Sequence, residues 1–583
     1  MDEKQGYAHG GDRVAAALKA QGVQFVFTLC GGHIAPILTA AKARGMRIID
    51  VRDEATAVFA ADAVARLTGV PGVVAVTAGP GLTNTITALK NAQLAQSPLI
   101  LIGGAAPTAL QGRGALQDIA QRPLIAPHVK LVTRVRRVAQ LGDAIAEAFE
   151  VAREGVPGPV FVECPVDLLY DEASIRQWYA DAAGKGLSIA DRMLRFYLNR
   201  HVAKMFAGSA ATHVPQPRSV VVPAPSGGSM AAAAKALRKS QRPLLVIGSQ
   251  ALAEPGSAAQ IAHAVARLGV PVYLSGMARG LLGRDHPLQL RHQRRQALRE
   301  SDCVVLAGVP CDFRLDYGRH VRRSATLIAA NRSSAEARLN RKPDIAAIGD
   351  AGLFLQGLAQ RVGDAGVQRD DWLAQLHQRE AAREAEIDAS ARVQGEFVNP
   401  VALLRALEQT MGAAAVMVAD GGDFVATAAY TLRPRGPLSW LDPGVFGTLG
   451  VGSGFALGAA LCRPDAEVWI VFGDGACGYG LVEFDTFVRH GIPVIAVVGN
   501  DAGWTQIARE QVKMLGDDVG TVLARTAYHE VAAGFGAEGL VVKSNAEAPR
   551  VLALARELAK AGQTVLVNVW LDRSDFRAGS ISM

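Results

Sequence analysis

The stretch EVWIVFGDGACGYGLVEFDTFVRHGIPVIAVVGND, residues 467–501, decides the fold. An apolar run ends at the tripeptide GDG (473–475), a stretch with helical periodicity follows, and a second apolar run ends at Asn500. This order predicts two parallel strands joined by a helix, with both strands ending at one edge of a sheet. Ligands of open α/β sheets bind at that edge.

Asp474 and Asn500 bring oxygen donors to the predicted edge. Carboxylate and amide oxygens suit Mg²⁺, which is commonly shared with the phosphates of a substrate or cofactor. The glycines beside Asp474 let backbone N–H groups approach a diphosphate at the start of the next helix. GDG alone is weak evidence because tight turns often use it. Together with its flanking strand and helix and the later Asn, it predicts a site for a metal and a diphosphate.

The same alternation of apolar runs and helical stretches fills the rest of the chain in three blocks. Continuous apolar strands between helices predict an α/β fold with three doubly wound parallel sheets. The predicted strands are 25–29, 47–51, 72–78, 98–104 and 159–165 in the first block, 243–248, 270–275, 303–308 and 325–331 in the second, and 414–420, 467–475, 493–501 and 564–572 in the third.

Two linkers set the predicted domain boundaries. One, at 214–229, is rich in Pro, Gly and Ser, and the other, at 377–394, is highly charged. A tail follows the third domain, and it either closes over the active site as a lid or simply frays. The predicted segments are a first domain at 1–182, a helical segment and linker at 183–229, a central domain at 230–365, a charged linker at 366–395, a third domain at 396–572 and the tail at 573–583.

The segment ADRMLRFYLNRHVAKMF (190–206) has the pattern of a basic amphipathic helix. Such a helix either packs its apolar stripe on its own protein or lies on a membrane surface. The first arrangement is the more common, and we expect it here.

Composition narrows the class of protein. The 583 residues are half hydrophobic and carry a formal net charge of +7. No long Lys/Arg tract of the nucleic-acid-binding kind appears, so a basic groove for a phosphorylated small molecule is the better expectation. The six dispersed cysteines, the polar N-terminus and the lack of an apolar run of about 18–20 residues predict a cytoplasmic protein without a membrane span.

The GDG motif followed by Asn500 resembles the signature of thiamine diphosphate (ThDP) enzymes of the acetolactate synthase and 2-hydroxyacyl-CoA lyase type. In that family two Asn residues stand where this chain has Gly499 and Asn500, and the second Asn binds the metal. The resemblance covers essentially the whole chain and implies pyrimidine-binding, central nucleotide-fold and diphosphate-binding domains. It is also carried by CGGHIAPI (30–37), RDEATAVFAADAVARLTGVPGVVAVTAGPGLTN (52–84), ADGGDFVA (419–426) and FGTLGVGSGFALGAAL (446–461).

This resemblance implies roles for individual residues. Asp474, Asn500 and the backbone carbonyl of Ala502 match the Mg²⁺ ligands. Glu54 matches the glutamate that hydrogen-bonds to N1′ of the aminopyrimidine and activates the cofactor; the alternative is an acid that merely favours a helix start. Leu449 matches the bulky residue beneath the cofactor. The other residues implied to contact the cofactor are Gly422, Asp423, Phe424, Thr448, Gly475, Ala476 and Trp504.

Two reactions remain open. One is the cleavage of a 2-hydroxyacyl-CoA to an aldehyde and formyl-CoA, or its reversal; the other is acetolactate synthesis from pyruvate or related 2-ketoacids. His33 stands where acetolactate synthases typically have Ala or Ser, and it is a candidate acid and base for the substrate's 2-hydroxyl, or else a structural histidine. Gln117 matches a glutamine that faces the reaction centre. The tryptophan that shapes the ketoacid pocket of acetolactate synthases has no clear equivalent, so the pattern is closest to the lyases.

The central block is expected to hold a nucleotide. It resembles the domain that holds FAD in acetolactate synthases and the ADP part of CoA in CoA-using relatives. Arg279, Arg291, Arg294 and Asp350 are the candidate contacts for the nucleotide of an acyl-CoA. The family's sites form between two subunits, which implies a homodimer or homotetramer. A non-catalytic relative is disfavoured because the activating Glu and the metal ligands are all present.

Overall fold

The computed structural model describes residues 7–183, 188–364 and 366–577. They form three six-stranded parallel sheets flanked by helices, which confirms the predicted α/β class. The chain divides into two compact units. Residues up to 221, apart from 66–69, hold the first sheet, and residues from 222 onward, together with 66–69, hold the other two.

The first sheet has the strand order β2-β1-β3-β4-β6-β5. The direction of strand addition reverses between β1 and β3, the position at which α/β sheets form their binding crevice. Its strands are β1 Phe25–Leu29, β2 Arg47–Asp50, β3 Gly72–Val76, β4 Leu99–Ala105, β5 Val132–Arg134 and β6 Pro159–Pro165; its helices are α1 Gly10–Ala20, α2 Ala35–Ala43, α3 Glu54–Thr68, α4 Pro80–Thr83, α5 Ile86–Leu94, α6 Gln121–Ile125, α7 Leu141–Arg153, α8 Glu172–Ala182 and α9 Ile189–Met205.

The central sheet has the order β12-β11-β10-β7-β8-β9. Strands β7 and β10 are buried along their whole length, as expected for a sheet covered on both faces. The strands are β7 Pro243–Ile247, β8 Val272–Leu274, β9 Gln289–Leu290, β10 Cys303–Ala307, β11 Thr326–Asn331 and β12 Ile345–Ile348; the helices are α10 Gly227–Lys239, α11 Ala258–Leu268, α12 Arg294–Glu300, α13 Ser334–Ala337, α14 Ala351–Val362 and α15 Asp370–Ser390.

The third sheet has the order β14-β13-β15-β16-β18-β17, with its reversal between β13 and β15. A core of large side chains, including Trp440 and Trp469, fixes this sheet against its helices. The strands are β13 Val416–Asp420, β14 Trp440–Leu441, β15 Val468–Gly473, β16 Ile495–Asn500, β17 Glu538–Val542 and β18 Val565–Trp570; the helices are α16 Pro400–Thr410, α17 Asp423–Thr431, α18 Val451–Cys462, α19 Asp474–Gly480, α20 Phe484–His490, α21 Thr505–Leu515, α22 Tyr528–Gly534 and α23 Ala548–Lys560.

Each of the 13 predicted strands corresponds to a strand of the structure, while β5, β9, β12, β14 and β17 were not predicted. All five lie at the edges of their sheets. Edge strands are half-exposed or very short, so they lack the continuous apolar run that marks a central strand. Within the described ranges, no helix combines the length and the apolar character needed to cross a bilayer.

Candidate active site

Glu54 is a buried carboxylate at the start of α3. Its side chain is 5% exposed, and Asn84 donates a hydrogen bond to its Oε2 over 3.0 Å. A Cβ on Gly81 would lie 3.4 Å from Oε1, so the backbone of α4 passes close to the carboxylate. The alternative interpretation is confirmed in one respect, because Glu54 does lie in the first turn of α3. It does not account for a buried acid held by a neutral amide.

His33 lies at the strand-order reversal of the first sheet, after β1, beside Thr77, which follows β3. The ring Nδ1 and the Thr77 Oγ1 are 3.0 Å apart. Burial lowers the pKa of His33 below its usual 6.5, because a charged ring is poorly solvated there. The imidazole is therefore neutral near pH 7 and able to accept a proton. A Cβ on Gly81 would also contact the Thr77 side chain, so His33 and Glu54 belong to one cluster.

Gln117 lies next to this cluster and has a left-handed backbone, with φ of 62°. Its carbonyl oxygen would be 2.7 Å from a Cβ on Gly79, which shows how closely the two loops approach. The Gln121 side chain holds the Gly79 loop in place. It accepts a hydrogen bond from the Gly79 N–H and donates one to the Glu163 carboxylate, over 3.1 and 3.2 Å. Gln117, Gln121 and Glu163 share the lining of a cavity of about 420 Å³.

Gln121 and Glu163 were not predicted from the sequence. Both are almost fully buried, and the Glu163 carboxylate lies 3.5 and 3.6 Å from the guanidinium groups of Arg122 and Arg134. An acid inside a β-strand, as in FVECP, was the available signal, because acids are rare in strands buried on both faces.

The predicted metal ligands lie at neighbouring strand ends of the third sheet. Strands β15 and β16 pair in parallel with Gly473 opposite Gly499, so Asp474 and Asn500 occupy the same edge. The Asp474 carboxylate is buried and accepts hydrogen bonds from the N–H groups of Gly475 and Gly503, over 2.8 and 3.2 Å. Burial, and then the nearby Asp501 carboxylate, raise the pKa of Asp474 to about 6. A bound cation would restore its charge.

The Asn500 side chain has an open acceptor. Its amide N–H₂ donates to the Thr526 carbonyl and to Asn568, over 3.1 and 3.2 Å, which fixes the orientation of the amide. Its Oδ1 is buried, and within the described part of the chain it has no hydrogen-bond partner. A buried acceptor without a partner is costly. A divalent cation between this oxygen and Asp474 would satisfy it.

The third predicted metal ligand, the Ala502 carbonyl, already accepts hydrogen bonds within the protein. Ala502 has a left-handed backbone with φ of 57°, and its oxygen accepts hydrogen bonds from the Leu523 N–H and the Arg573 guanidinium over 3.0 and 3.2 Å. Its role as a metal ligand stays a prediction and requires that the oxygen change partners. Asp501, which was not predicted from the sequence, is an additional acid at this edge, and burial raises its pKa.

The residues implied to contact the diphosphate surround the ends of β13 and β15. Gly422 precedes α17, Thr448 and Leu449 precede α18, and Gly475 and Ala476 lie in the first turn of α19. Gly422 lies at the start of α17, where backbone N–H groups suit phosphate. The N–H groups of Gly475 and, at the start of α18, of Gly450 and Gly452 already donate to the carboxylates of Asp474 and Asp420. Two of the side chains in this set contact other parts of the protein. Asp423 forms an ion pair with Arg509 through two contacts of 2.9 Å, and Phe424 is a core residue against Gly499.

Trp504 packs on the glycine of the GDG turn, and this contact gives a stability prediction. A Cβ on Gly475 would lie 2.4–2.7 Å from the Trp504 ring. We expect Gly475→Ala to displace the ring and destabilise the protein by roughly 1–3 kcal/mol. Gly478→Ala on the same helix is the control, because its Cβ meets nothing within 4 Å. Thermal unfolding followed by tryptophan fluorescence distinguishes the two, and equal melting temperatures would contradict the contact.

Arginines converge on a second cavity, of about 460 Å³, within the second unit. Arg279, Arg291 and Arg294, predicted from the sequence, line it with Arg314 and Arg577, which were not predicted, and no acidic residue of the described ranges lines it. Burial lowers the pKa of Arg291 and of Arg294 to about 10. Arg291 pairs with Glu380 and Glu384, and Arg314 pairs with Asp312. Arg279 and Arg294 instead donate hydrogen bonds to backbone carbonyls, over 2.6 Å each. Buried guanidinium groups bonded to neutral carbonyls favour an anionic ligand.

Asp350, predicted to join these arginines, is not among the residues that line the cavity. It is 3% exposed, accepts a hydrogen bond from the Leu353 N–H at the start of α14, and pairs with Arg332 over 2.8 Å. At the carboxyl ends of β7 and β11, Gln250 also bonds to Asn331 and to the Arg332 N–H. These side chains satisfy one another, so the nucleotide role of Asp350 stays a prediction.

The described part of the tail lies against the third domain. Arg573 bonds to the Ala502 carbonyl, and the Ser574 carbonyl accepts from Arg509 over 2.8 Å. Arg577 reaches the arginine cavity. The remaining residues of the predicted lid, 578–583, lie outside the described part of the chain.

Comparison with known proteins decides the family. Residues 8–124 match the thiamine pyrophosphate enzyme N-terminal TPP binding domain, residues 230–358 the central domain, and residues 420–569 the C-terminal TPP binding domain. The chain belongs to the thiamine pyrophosphate enzyme family. Thiamine pyrophosphate is thiamine diphosphate, so this membership confirms the resemblance drawn from the GDG motif.

Similar proteins extend along the whole chain. The chain is 51% identical to 2-hydroxyacyl-CoA lyase 2 of Bos taurus, covering 99% of this chain and 92% of that protein. It is 50% identical to 2-hydroxyacyl-CoA lyase 2 of Homo sapiens, covering 100% and 93%. A probable acetolactate synthase of Mycobacterium bovis is 34% identical, covering 97% and 96%.

The residues present fit the cofactor. Glu54 offers a buried carboxylate for the aminopyrimidine, and the start of α17 offers backbone N–H groups for the diphosphate. Asn500 offers the metal an amide oxygen that has no hydrogen-bond partner among the described residues. The two groups of residues belong to different units of the chain, and each is arranged independently for its part of the cofactor.

Proposed function

We propose that this protein is a ThDP- and Mg²⁺-dependent carbon–carbon lyase that cleaves 2-hydroxyacyl-CoA to an aldehyde and formyl-CoA, and catalyses the reverse condensation. The observation that carries this proposal is the identity of 50–51% to 2-hydroxyacyl-CoA lyases along nearly the whole chain, against 34% to an acetolactate synthase. The arginine cavity supports it independently, because the CoA nucleotide carries several phosphate charges.

The chain's own residues bind, orient and move protons. Bound ThDP would supply the electron sink for breaking the carbon–carbon bond. Glu54 would hold a proton at N1′ of the aminopyrimidine, in a buried setting that excludes water. Asp474 and Asn500 would hold Mg²⁺ against the diphosphate. His33 would take the proton from the substrate's 2-hydroxyl, with Thr77 fixing the orientation of its ring.

The pH dependence of activity tests the role of His33. Because burial lowers the pKa of His33 below 6.5, the neutral base persists at pH 6.5 and is lost only as the pH falls further. We expect kcat/KM to decline on this acidic side. His33→Gln should lower kcat/KM by roughly 10²-fold and remove that decline. His128→Gln, at another histidine of lowered pKa, is the control. An unchanged profile in His33→Gln would make His33 structural.

The arginine cavity gives a prediction about substrate affinity. We propose that it binds the nucleotide of the acyl-CoA; ADP or FAD are the alternative occupants. Replacing Arg279 and Arg294 with Gln should raise the KM for the acyl-CoA by roughly tenfold or more, because charge-assisted hydrogen bonds are lost, while kcat changes little. The control is the double variant Arg322→Gln with Arg323→Gln, which loses the same charge at two exposed sites. A raised KM in both double variants would contradict a specific site.

A paired assay on the purified protein with ThDP and Mg²⁺ tests the proposed reaction. One sample contains a 2-hydroxyacyl-CoA and is followed for aldehyde and formyl-CoA; the other contains pyruvate and is followed for acetolactate. The proposal requires products in the first sample. Acetolactate alone would favour the alternative function and make the central domain a flavin site. A homodimer or homotetramer and a cytoplasmic location are part of the proposal, and sedimentation velocity tests the first.

A further inference from the structure

Helix α9 (Ile189–Met205) has two apolar faces, and the residues that the structure describes cover only one of them. Leu198, Val202 and Met205 are buried, at intervals of four and three residues that place them on one face. His201 holds this face through a contact of 2.7 Å between its Nε2 and the Thr108 Oγ1. The predicted packing of an apolar stripe on the protein itself is therefore found.

The opposite face of α9 is apolar and exposed. Ile189, Met193 and Phe196 follow one another at the same helical spacing and are 79%, 69% and 70% exposed. Tyr197, beside them, is 57% exposed. On the neighbouring helix α8, which contacts α9 through Tyr179 and His201, Trp178 is 47% exposed. Large apolar side chains grouped in this way mark an interaction surface.

The charges on this outer face have one sign. Arg192, Arg200 and Lys204 are exposed and lie at helical positions that flank the apolar residues. The single acid within α9, Asp191, is engaged in a capping box with Ser188 at the helix start. The outer face therefore offers apolar rings and cations without a compensating carboxylate on the helix.

We propose that the outer face of α9 docks the protein on a membrane surface that carries anionic phospholipids. A helix of 17 residues lying flat would insert Met193 and Phe196 at the boundary between headgroups and acyl chains, while its cations meet lipid phosphates. Tyrosine and tryptophan are favoured at that depth. A second copy of the chain is the weaker candidate, because the cores of protein–protein interfaces are depleted in charge. This inference goes beyond the proposed function and does not depend on it.

Flotation of the holoenzyme with phosphatidylcholine vesicles, with and without phosphatidylserine, tests the proposal. We expect the protein to float with the anionic vesicles and to bind neutral ones roughly tenfold or more weakly. Met193→Ser with Phe196→Ser should abolish flotation, whereas Val221→Ser with Val393→Ser, at two other exposed apolar sites, should not.

A second pair of variants separates α9 from the general basicity of the protein. Changing Arg192, Arg200 and Lys204 to Gln should reduce binding to anionic vesicles by roughly tenfold or more. The control variant loses the same amount of charge at the exposed residues Arg322, Arg323 and Lys342, each replaced with Gln. It should bind like the wild type. Circular dichroism verifies that every variant is folded.

Three outcomes would overturn the proposal. One is equal binding to neutral and anionic vesicles, or no binding to either. Another is an equal loss in the α9 triple variant and its control, which would assign binding to the net charge of +7. The third is a change in sedimentation of the Met193/Phe196 variant without a change in flotation, which would show that a second copy covers the face.

Discussion

Replacing Glu54 with glutamine is expected to lower kcat for 2-hydroxyacyl-CoA cleavage by roughly 10³–10⁴-fold. Glutamine has nearly the same shape and can still accept the hydrogen bond from Asn84, so the burial at the start of α3 is kept. What is lost is a carboxylate that can share a proton with the aminopyrimidine. The loss should therefore appear in kcat under saturating ThDP, measured by the release of aldehyde.

The neighbouring acid provides the control for Glu54→Gln. Asp53 is exposed and accepts a hydrogen bond from the Ala55 N–H over 2.7 Å, which asparagine can also accept. Asp53→Asn makes the same change of charge at the same helix start and should retain near-normal activity. If the two variants lost activity equally, the acid at position 54 would act only through the helix, as the simpler interpretation holds.

Replacing Asp474 with asparagine is expected to abolish measurable turnover at ordinary Mg²⁺ concentrations. Loss of a residue that only supports a metal ligand costs 10–100-fold in affinity, so loss of a charged ligand itself should cost about 100-fold or more. The buried Asn500 amide oxygen cannot compensate, because it carries no charge. Titration of activity with Mg²⁺ and ThDP should show both apparent affinities reduced, because the metal and the diphosphate bind together.

Chelation of the metal supplies an independent measurement. A chelator should inactivate the wild-type protein, and added Mg²⁺ should restore it. Asp485→Asn is the matched variant, since Asp485 forms an ion pair with Arg489 on α20, and it should behave like the wild type. An Asp474→Asn variant with normal Mg²⁺ dependence would show that the metal binds elsewhere.

The sequence predicted the site best where a strand, a turn and a helix follow one another. Asp474 and Asn500 are close because β15 and β16 are adjacent and parallel, and an apolar run reveals both strands. Gln121 and Glu163 were missed because their contact joins segments 42 residues apart. No local pattern encodes such a contact; it depends on how the loops pack over the finished sheet.

The arginine cavity shows the same limit. Arg279 was chosen from a turn of the central domain, and Arg291 and Arg294 were chosen from a cluster of arginines; the cavity contains all three. Arg577 joins them from the C-terminal tail, a placement that sequence spacing could not indicate. Asp350 was chosen from a turn, like Arg279, but it does not line the cavity and forms an ion pair with Arg332. A motif gives the residue type and its place in the chain, but the packing of the finished domain decides whether a side chain faces a cavity.

The most direct test of the proposed reaction is to follow carbon-13 from the thioester carbonyl of a 2-hydroxyacyl-CoA. The purified protein with ThDP and Mg²⁺ should place the label in formyl-CoA and release an unlabelled aldehyde in equal amount, one carbon shorter than the acyl group. Glu54→Gln should form neither product at a comparable rate. Label found in a free carboxylic acid, or product formed equally well without ThDP, would contradict the assignment of this protein as a ThDP-dependent lyase.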